Sequence, residues 1–220
     1  MKNLIFKYSV IFFLIFTTSI SAIFAQDDRS VMSQAEIQSF LTHLKDKSLG
    51  INSLEATFTQ EKVLRMFQKK MVSQGVFCFK REDKIAFFYK SPYKYRMIIN
   101  GKKMLMDNGG KEQLIALDNN AIAREMRNLI QASFLGKLQD LGTSYSISYF
   151  KEEDGSFYVE VVPRAKSITE IISKISVNFN PSTFLVSKLT LEESAKSTTI
   201  YYFSGHRINT INDDEKFSIN

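Results

Sequence analysis

The strongest constraint on the fold is a run of alternating apolar residues between Gln74 and Asp107. Phe77 and Phe79 alternate with other residues, a polar break follows at residues 80–83, and the alternation then resumes. A period of two residues puts every second side chain on the same face of a strand. Asn100-Gly101 is a strong signal for a two-residue hairpin, so the run predicts three or four consecutive antiparallel strands that share one strongly apolar face.

Residues 1–25 are interpreted as an export signal and stand outside the fold prediction. Two lysines precede an unbroken apolar run, Ile11–Phe16, and small residues follow up to Ala25. We expect cleavage after Ala25, so that residues 26–220 form the mature protein, a single domain in the periplasm. The apolar run is short for a membrane span, and an uncleaved anchor is the alternative.

Composition argues against several classes of function. Without the export signal the chain holds 27 basic and 23 acidic residues, a formal charge of +4. These charges are scattered, whereas a nucleic-acid groove needs a concentrated basic stripe, so no nucleic-acid partner is expected. Cys78 is the lone cysteine and the two histidines are isolated, so we expect no disulfide, no metal and no cofactor. The sequence has none of the common catalytic motifs, and the chain is not predicted to be an enzyme.

Two helical segments interrupt the β pattern. Ser33 and Glu36 match a capping box, and apolar residues continue at helical spacing until Gly50, which predicts an N-terminal helix. The period becomes helical again from Ala121 to Leu141, as one helix or as two short ones.

The rest of the chain alternates with a period of two residues between turn signals. One strand starts near Ser53, several follow the second helical segment, and a last short one is expected at residues 216–219. We therefore predict a mainly β, α+β fold. Its core is an open, curved antiparallel half-barrel of about ten strands, with the N-terminal helix and the central helical insertion covering the concave face.

Four short motifs occur in the same order as in a known family. They are the opening strand Leu54–Gln60, the strand Gly75–Arg81 ending in Lys-Arg, then Pro92, and the hairpin Ile98–Lys102. In these motifs, and in its order of helices and strands, the chain resembles the periplasmic lipoprotein carrier family of the LolA type. Glu82 stands where that family commonly has proline, and the chain contains no Trp, so it resembles a divergent member.

The resemblance implies a half-barrel whose interior shelters the acyl chains of lipoproteins while they cross the periplasm. It also implies three partners: acylated lipoprotein cargo, an inner-membrane complex that releases it, and an outer-membrane acceptor. We expect the carrier to be a monomer. The composition is compatible, because each methylene exposed to water costs about 0.8 kcal/mol and acyl chains need an apolar cavity that binds without directional bonds.

Ten apolar residues are predicted to line that interior. Only every second residue of a strand can face inward. The set predicted to face inward leaves Lys80, Lys84 and Arg96 on the outer face. The predicted lipid-binding residues are Phe77, Phe79, Ile85, Phe87, Tyr89, Met97, Ile99, Met126, Ile130 and Phe134. Taken without the resemblance, the same pattern is more typical of an ordinary packed core, and both interpretations stay open.

Arg81 is the single residue with the most specific prediction. It aligns with a family arginine that bonds to backbone groups of the covering helices and holds the cavity shut. A guanidinium has five fixed donors, which can satisfy several helix-end carbonyls together. The resemblance therefore implies a latch, and the alternative is a solvated charge at the end of a strand.

Two further functions stay open within the same fold. In one, the carrier holds another acylated or polyene lipid of the envelope. In the other, it is an envelope lipoprotein sensor or regulator of the kind that joins a similar half-barrel to a second domain. The chain is short for such a second domain, which favours the carrier.

Overall fold

The computed structural model describes residues 29–81, 83–193 and 197–219. The predicted export signal, residues 1–25, lies outside these ranges, and of Met126 only the backbone is described. Among the helices in these ranges, none is both long and apolar enough to cross a bilayer.

The described residues form twelve strands, three α-helices and four 3-10 segments. The strands are β1 (Ser30–Val31), β2 (Ser53–Leu64), β3 (Lys69–Lys80), β4 (Lys84–Ser91), β5 (Tyr95–Asn100), β6 (Lys103–Asp107), β7 (Glu112–Ala116), β8 (Tyr145–Lys151), β9 (Phe157–Pro163), β10 (Ile172–Phe179), β11 (Val186–Glu193) and β12 (Ser197–Ile208). The helices are α1 (Gln34–Leu49), α2 (Ala121–Phe134) and α3 (Lys166–Thr169). The 3-10 segments are Arg65–Phe67, Leu117–Asn119, Leu138–Ser144 and Glu215–Phe217.

The strands pair in one open antiparallel sheet, which confirms the predicted fold class. Their order is β1-β8-β9-β10-β11-β12-β2-β3-β4-β5-β6-β7, so that β1 and β7 are the edges among the described residues. There are twelve strands where about ten were expected, partly because Ser30 and Val31 pair with the end of β8. The short strand expected at residues 216–219 was a wrong prediction, since a 3-10 segment, Glu215–Phe217, begins there instead.

The sheet is strongly curved, as contacts between distant strands show. Tyr89 of β4 and Tyr201 of β12 are separated by two strands, which in a flat sheet puts their backbones roughly 14 Å apart. Their hydroxyl oxygens nevertheless lie 3.1 Å from each other. Phe87 also reaches Tyr201, with ring centroids 5.5 Å apart. The side chains of this face converge because the sheet bends around them.

The N-terminal helix α1 forms as the sequence predicts. The backbone amide of Ser33 donates to the Glu36 carboxylate at 2.8 Å, and the Ser33 hydroxyl caps the helix in return. These two bonds satisfy donors that a helix start otherwise leaves unpaired. The helix ends at Gly50 and buries Phe40 and Leu44 against the sheet.

The central insertion consists of two short helical segments, the second alternative that the sequence left open. The Asn120 side chain accepts a hydrogen bond from the Ala123 amide at 3.0 Å and starts α2. Gly136 then turns the chain with a φ of +65° and lies against α1, where an added Cβ would stand 2.8 Å from the Leu44 carbonyl oxygen. That close approach joins the end of α2 to α1.

The two faces of the sheet carry separate apolar clusters, as the alternation predicts. The larger cluster lies on the concave face, under α1 and α2. A smaller one lies on the convex face, where Cys78 and Ile98 pack with Phe217 of the C-terminal segment. Lys80 and Lys84 both bond to Asp214 of that segment at 2.8 Å. The predicted parity is therefore correct for β3 and β4.

We expect Gly75→Ala to destabilise the sheet. A Cβ at this position would lie 2.2 Å from the Phe88 carbonyl oxygen and 2.6 Å from the Phe58 ring. Overpacking of this kind costs about 1–3 kcal/mol, and urea denaturation should show a loss of that size. Gly110→Ala is the matched control, since no described atom lies within 4 Å of its added Cβ. Equal stability of the two variants would contradict this packing.

Candidate functional site

The concave face brings together the predicted lining residues that the structure describes. Seven of them are almost completely buried, with 0–6% exposure, and two are half-buried. The buried set is Phe77, Phe79, Ile85, Phe87, Ile99, Ile130 and Phe134, and the half-buried set is Tyr89 and Met97. The tenth, Met126, lies on α2, and its side chain is outside the described part of the chain.

Helix α2 fills the concave face with its own apolar residues. Phe134 stacks on Phe77 with ring centroids 4.6 Å apart and lies 5.7 Å from Phe203 of β12. Ile130, one turn earlier, is 4% exposed in the same cluster. The contacts are between apolar groups and carry no directional bond. The face is thus closed, and its lining residues are packed on one another and on α2.

Helix α1 covers the other half of the same face. Phe40 lies 4.7 Å from Phe157 and 5.5 Å from Phe179, measured between ring centroids. Sequence reasoning did not choose these residues as lining, although their strands show the same alternation. Nothing in the alternation indicates that the curved sheet brings β9 and β10 under the N-terminal helix.

A polar group interrupts the apolar face at one end. The hydroxyls of Tyr89 and Tyr201 lie 3.1 Å apart, and the Gln60 amide donates to Tyr201 at 3.3 Å. Burial raises the pKa of both phenols, so both are neutral hydrogen-bonding groups at any physiological pH. Tyr89 also borders an open groove of about 530 Å³ that Tyr95 and Phe88 line from the side. At this end of the concave face a surface groove reaches Tyr89.

Few polar contacts fasten α2 to the rest of the protein. The Gln131 amide donates to the Asp83 carboxylate at 2.6 Å, and Arg127 donates to the Gly101 carbonyl oxygen at 3.2 Å. Both acceptors are in hairpin turns of the sheet. At the start of α2, Glu125 accepts a short hydrogen bond from the Tyr145 hydroxyl. These tethers join residues far apart in sequence, and the sequence pattern contains no signal for them.

Arg81 bonds to the C-terminal end of α1. Its Nε donates to the Ile51 carbonyl oxygen at 2.6 Å and its guanidinium to the Ser48 carbonyl oxygen at 2.7 Å. A third, longer contact of 3.5 Å reaches the Leu49 carbonyl oxygen. The last carbonyls of a helix lack intrahelical partners and carry partial negative charge, which suits a cation. The charge at this strand end is therefore bonded to a helix end.

Within the described ranges, His, Cys, Asp and Glu form no group of three or more that is placed to hold a metal ion. Cys78 is fully buried on the convex face, where its Sγ lies 3.8 Å from a Glu55 carboxylate oxygen. Burial raises the pKa of this thiol, and the neutral form is a poor nucleophile. What the concave face offers is apolar surface beneath two helices.

Comparison with solved structures gives distant likenesses. A LolA superfamily protein from Nitrosomonas europaea is 12% identical, with a TM-score of 0.44, over 82% of this chain and 96% of that one. The lipoprotein LppX from Mycobacterium tuberculosis is 9% identical, with a TM-score of 0.40, over 82% of this chain and 99% of the other. A chain of the MucA/MucB complex from Pseudomonas aeruginosa is 12% identical, with a TM-score of 0.44, over 84% of this chain and 61% of its own. Likenesses this distant carry no argument about function.

The family assignment comes from sequence. None of the curated protein sequences compared with the chain matches it. The profile of the family described as "Outer membrane lipoprotein carrier protein LolA" matches residues 50–220, which include β2 to β12 and both segments of the central insertion. This range covers most of the chain and holds all ten predicted lining residues as well as Arg81. The chain belongs to the LolA family of outer membrane lipoprotein carrier proteins.

Proposed function

We propose that this protein is a periplasmic carrier that shelters the acyl chains of lipoproteins beneath α2 and delivers them from the inner to the outer membrane. The observation that carries the proposal is the way α2 closes the concave face. Its contacts with the sheet are mostly apolar, through Phe134 and Ile130, and its polar tethers are few.

Apolar contacts of this kind can be exchanged at small net cost. Lifting α2 exposes Phe77, Phe134 and their neighbours, and burying one such side chain is worth about 1.5–3 kcal/mol. An acyl chain that enters the opened face restores apolar contact for the same surfaces and buries its own methylenes, at about 0.8 kcal/mol each. The exchange therefore favours the loaded form once the tethers break. The concave face is then a packed core in the empty protein and a lipid-binding surface in the loaded protein.

Arg81 is proposed as the latch of α1 in the same cycle. Hydrogen bonds that involve a charged group contribute about 1.5–3 kcal/mol each, and the bonds to Ser48 and Ile51 are short. Such bonds favour the closed form after cargo has left, because they satisfy the carbonyls at the end of α1. The free energy of closing then contributes to cargo release.

The delivery role needs export and two membrane partners. We propose that residues 1–25 direct export and are removed after Ala25, and that residues 26–220 act as one carrier domain and as a monomer. Cargo would come from an inner-membrane release complex and pass to an outer-membrane acceptor. If the cargo is another acylated envelope lipid, the concave face acts in the same way and the partners differ.

The mature protein should bind acyl chains with saturation. The apolar face beneath α2 is the physical reason, and no metal or nucleotide should be needed. Mass spectrometry of organic extracts from the purified protein would detect bound lipid and identify its class. Titration with a fluorescent fatty acid would then measure binding to the emptied protein. A protein that is empty as purified and shows no saturable binding would contradict the carrier function.

Arg81→Leu should fold and still take up lipid, because the apolar lining is untouched. Loss of the bonds to Ser48 and Ile51 weakens the closed form by a few kcal/mol, and about 1.4 kcal/mol corresponds to a factor of ten in an equilibrium. We expect cargo to accumulate on the variant and its hand-over to the native acceptor to fall at least tenfold. Arg164→Leu, at an exposed arginine of another loop, is the control. Hand-over by Arg81→Leu at the wild-type rate would remove the latch from the mechanism.

A further inference from the structure

The hairpin between β2 and β3 ends in an exposed apolar tip. Met66 and Phe67 are each 73% exposed, although side chains of this size are usually buried in a soluble domain. They occupy the 3-10 segment that links the two strands. Gln68 follows in the left-handed region with a φ of 48° and closes the turn. We call residues 65–70 the hairpin tip.

The hairpin tip projects beyond the end of β4 and lies next to the start of β12. On one side, β3 pairs with β4 only as far as Gln74, opposite Ser91. On the other side, β12 begins at Ser197, opposite Leu64. At the base of the tip, Leu64 and Lys69 are still paired across the hairpin. Met66 and Phe67 therefore stand at the end of a hydrogen-bonded hairpin that extends past β4.

Cationic residues surround the two apolar side chains. Arg65, Lys69 and Lys70 belong to the tip and are all exposed. Lys70 forms an ion pair of 2.6 Å with Glu61, and Arg65 donates to the neutral Thr198 hydroxyl at 3.3 Å. For Lys69 no ion pair is found within the described ranges. The tip therefore combines exposed apolar groups with uncompensated positive charge.

The next turn at this end of the sheet carries a similar combination of residues. Because Gln74 lies opposite Ser91, the turn between β4 and β5 is on the same end of the sheet as the hairpin tip. It carries Tyr93, which is 80% exposed, between the exposed lysines Lys90 and Lys94. Both lysines also border the groove that leads to Tyr89 of the concave face. Apolar or aromatic groups flanked by lysines thus recur on adjacent turns.

The size and charge of this surface favour a lipid bilayer over a protein partner. An aromatic side chain buries about 150–250 Å², so Met66, Phe67 and Tyr93 together offer roughly 500 Å², below the roughly 800 Å² per partner of a standard protein interface. An anionic membrane surface needs no matching shape. It takes apolar and aromatic side chains into the headgroup region and attracts lysine and arginine beside them.

We propose that the hairpin tip and the turn bearing Tyr93 dock the protein onto anionic lipid bilayers, with Met66 and Phe67 inserted into the headgroup region. Docking requires only these exposed residues and takes place whether or not the concave face holds an acyl chain. Its part in delivery rests on the proposed carrier function, since it brings the groove at Tyr89 to the membrane from which cargo comes or to which it goes.

A single tryptophan tests the docking, because the chain contains none. Phe67→Trp in the emptied mature protein should show a blue-shifted emission with vesicles of phosphatidylcholine and phosphatidylglycerol, and quenching when the lipid acyl chains are brominated. Vesicles of phosphatidylcholine alone should produce neither effect. Leu114→Trp, at a residue 55% exposed on the edge strand β7, is the matched control and should stay in water with both vesicles.

Charge reversal tests the electrostatic part in otherwise wild-type protein. Each basic residue near an anionic surface is worth about fivefold in partitioning, so Lys69→Glu, a change of two charges, should lower vesicle binding about 25-fold. Lys103→Glu makes the same change at an exposed site of the opposite end of the sheet and should leave binding near the wild-type value.

The proposal would be overturned if the tryptophan emission of Phe67→Trp did not change when anionic vesicles were added. That result is expected if the tip binds only a protein partner. Equal binding to neutral and anionic vesicles would overturn it as well. The acyl-binding titration is independent of both measurements. Failure of docking therefore leaves the carrier function standing, and failure of acyl binding leaves docking standing.

Discussion

The contact between α2 and the concave face of β3 is the interaction on which the rest of the structure depends. Phe134 stacks on Phe77 at 4.6 Å, and this packing is what makes the half-barrel compact. Because it is apolar and carries no directional bond, an acyl chain can take the place of either partner. The open sheet and its helical cover together provide this exchangeable contact.

The convex face limits where that exchange takes place. There the C-terminal segment lies across the sheet, with Phe217 fully buried and Ile211 7% exposed. Glu55, which is also buried, forms ion pairs with Lys216 and Arg207 of the same end of the chain. Because the Glu55 carboxylate is buried, loss of these two cations would leave it without a compensating charge, which destabilises the fold. The sheet is thus fastened firmly on its outer face, while the cover on its inner face depends on apolar packing and a few tethers.

Local patterns made most of the fold predictable. The period-two alternation assigned Phe77 and Cys78 to opposite faces, and the capping box placed the start of α1. What the sequence could not show are contacts decided by tertiary structure. The bonds of Arg81 to carbonyls about 30 residues earlier were implied by the family resemblance and by no local pattern. Phe217, in a segment that alternates like a strand, inserts into the convex cluster instead. The alternation also does not distinguish a packed core from a lipid-binding surface, since both need the same apolar side chains.

In the proposed cycle α2 moves away from the sheet before lipid enters, and a reversible crosslink tests this movement. Asp83→Cys and Gln131→Cys, whose native side chains are in hydrogen-bond contact at 2.6 Å, can be joined by a short bismaleimide with a reducible linker. The buried Cys78 is out of its reach, and each single variant serves as the control for modification alone. We expect no saturable acyl binding while the crosslink is intact and full binding once it is reduced. Binding of unchanged affinity by the crosslinked protein would contradict it.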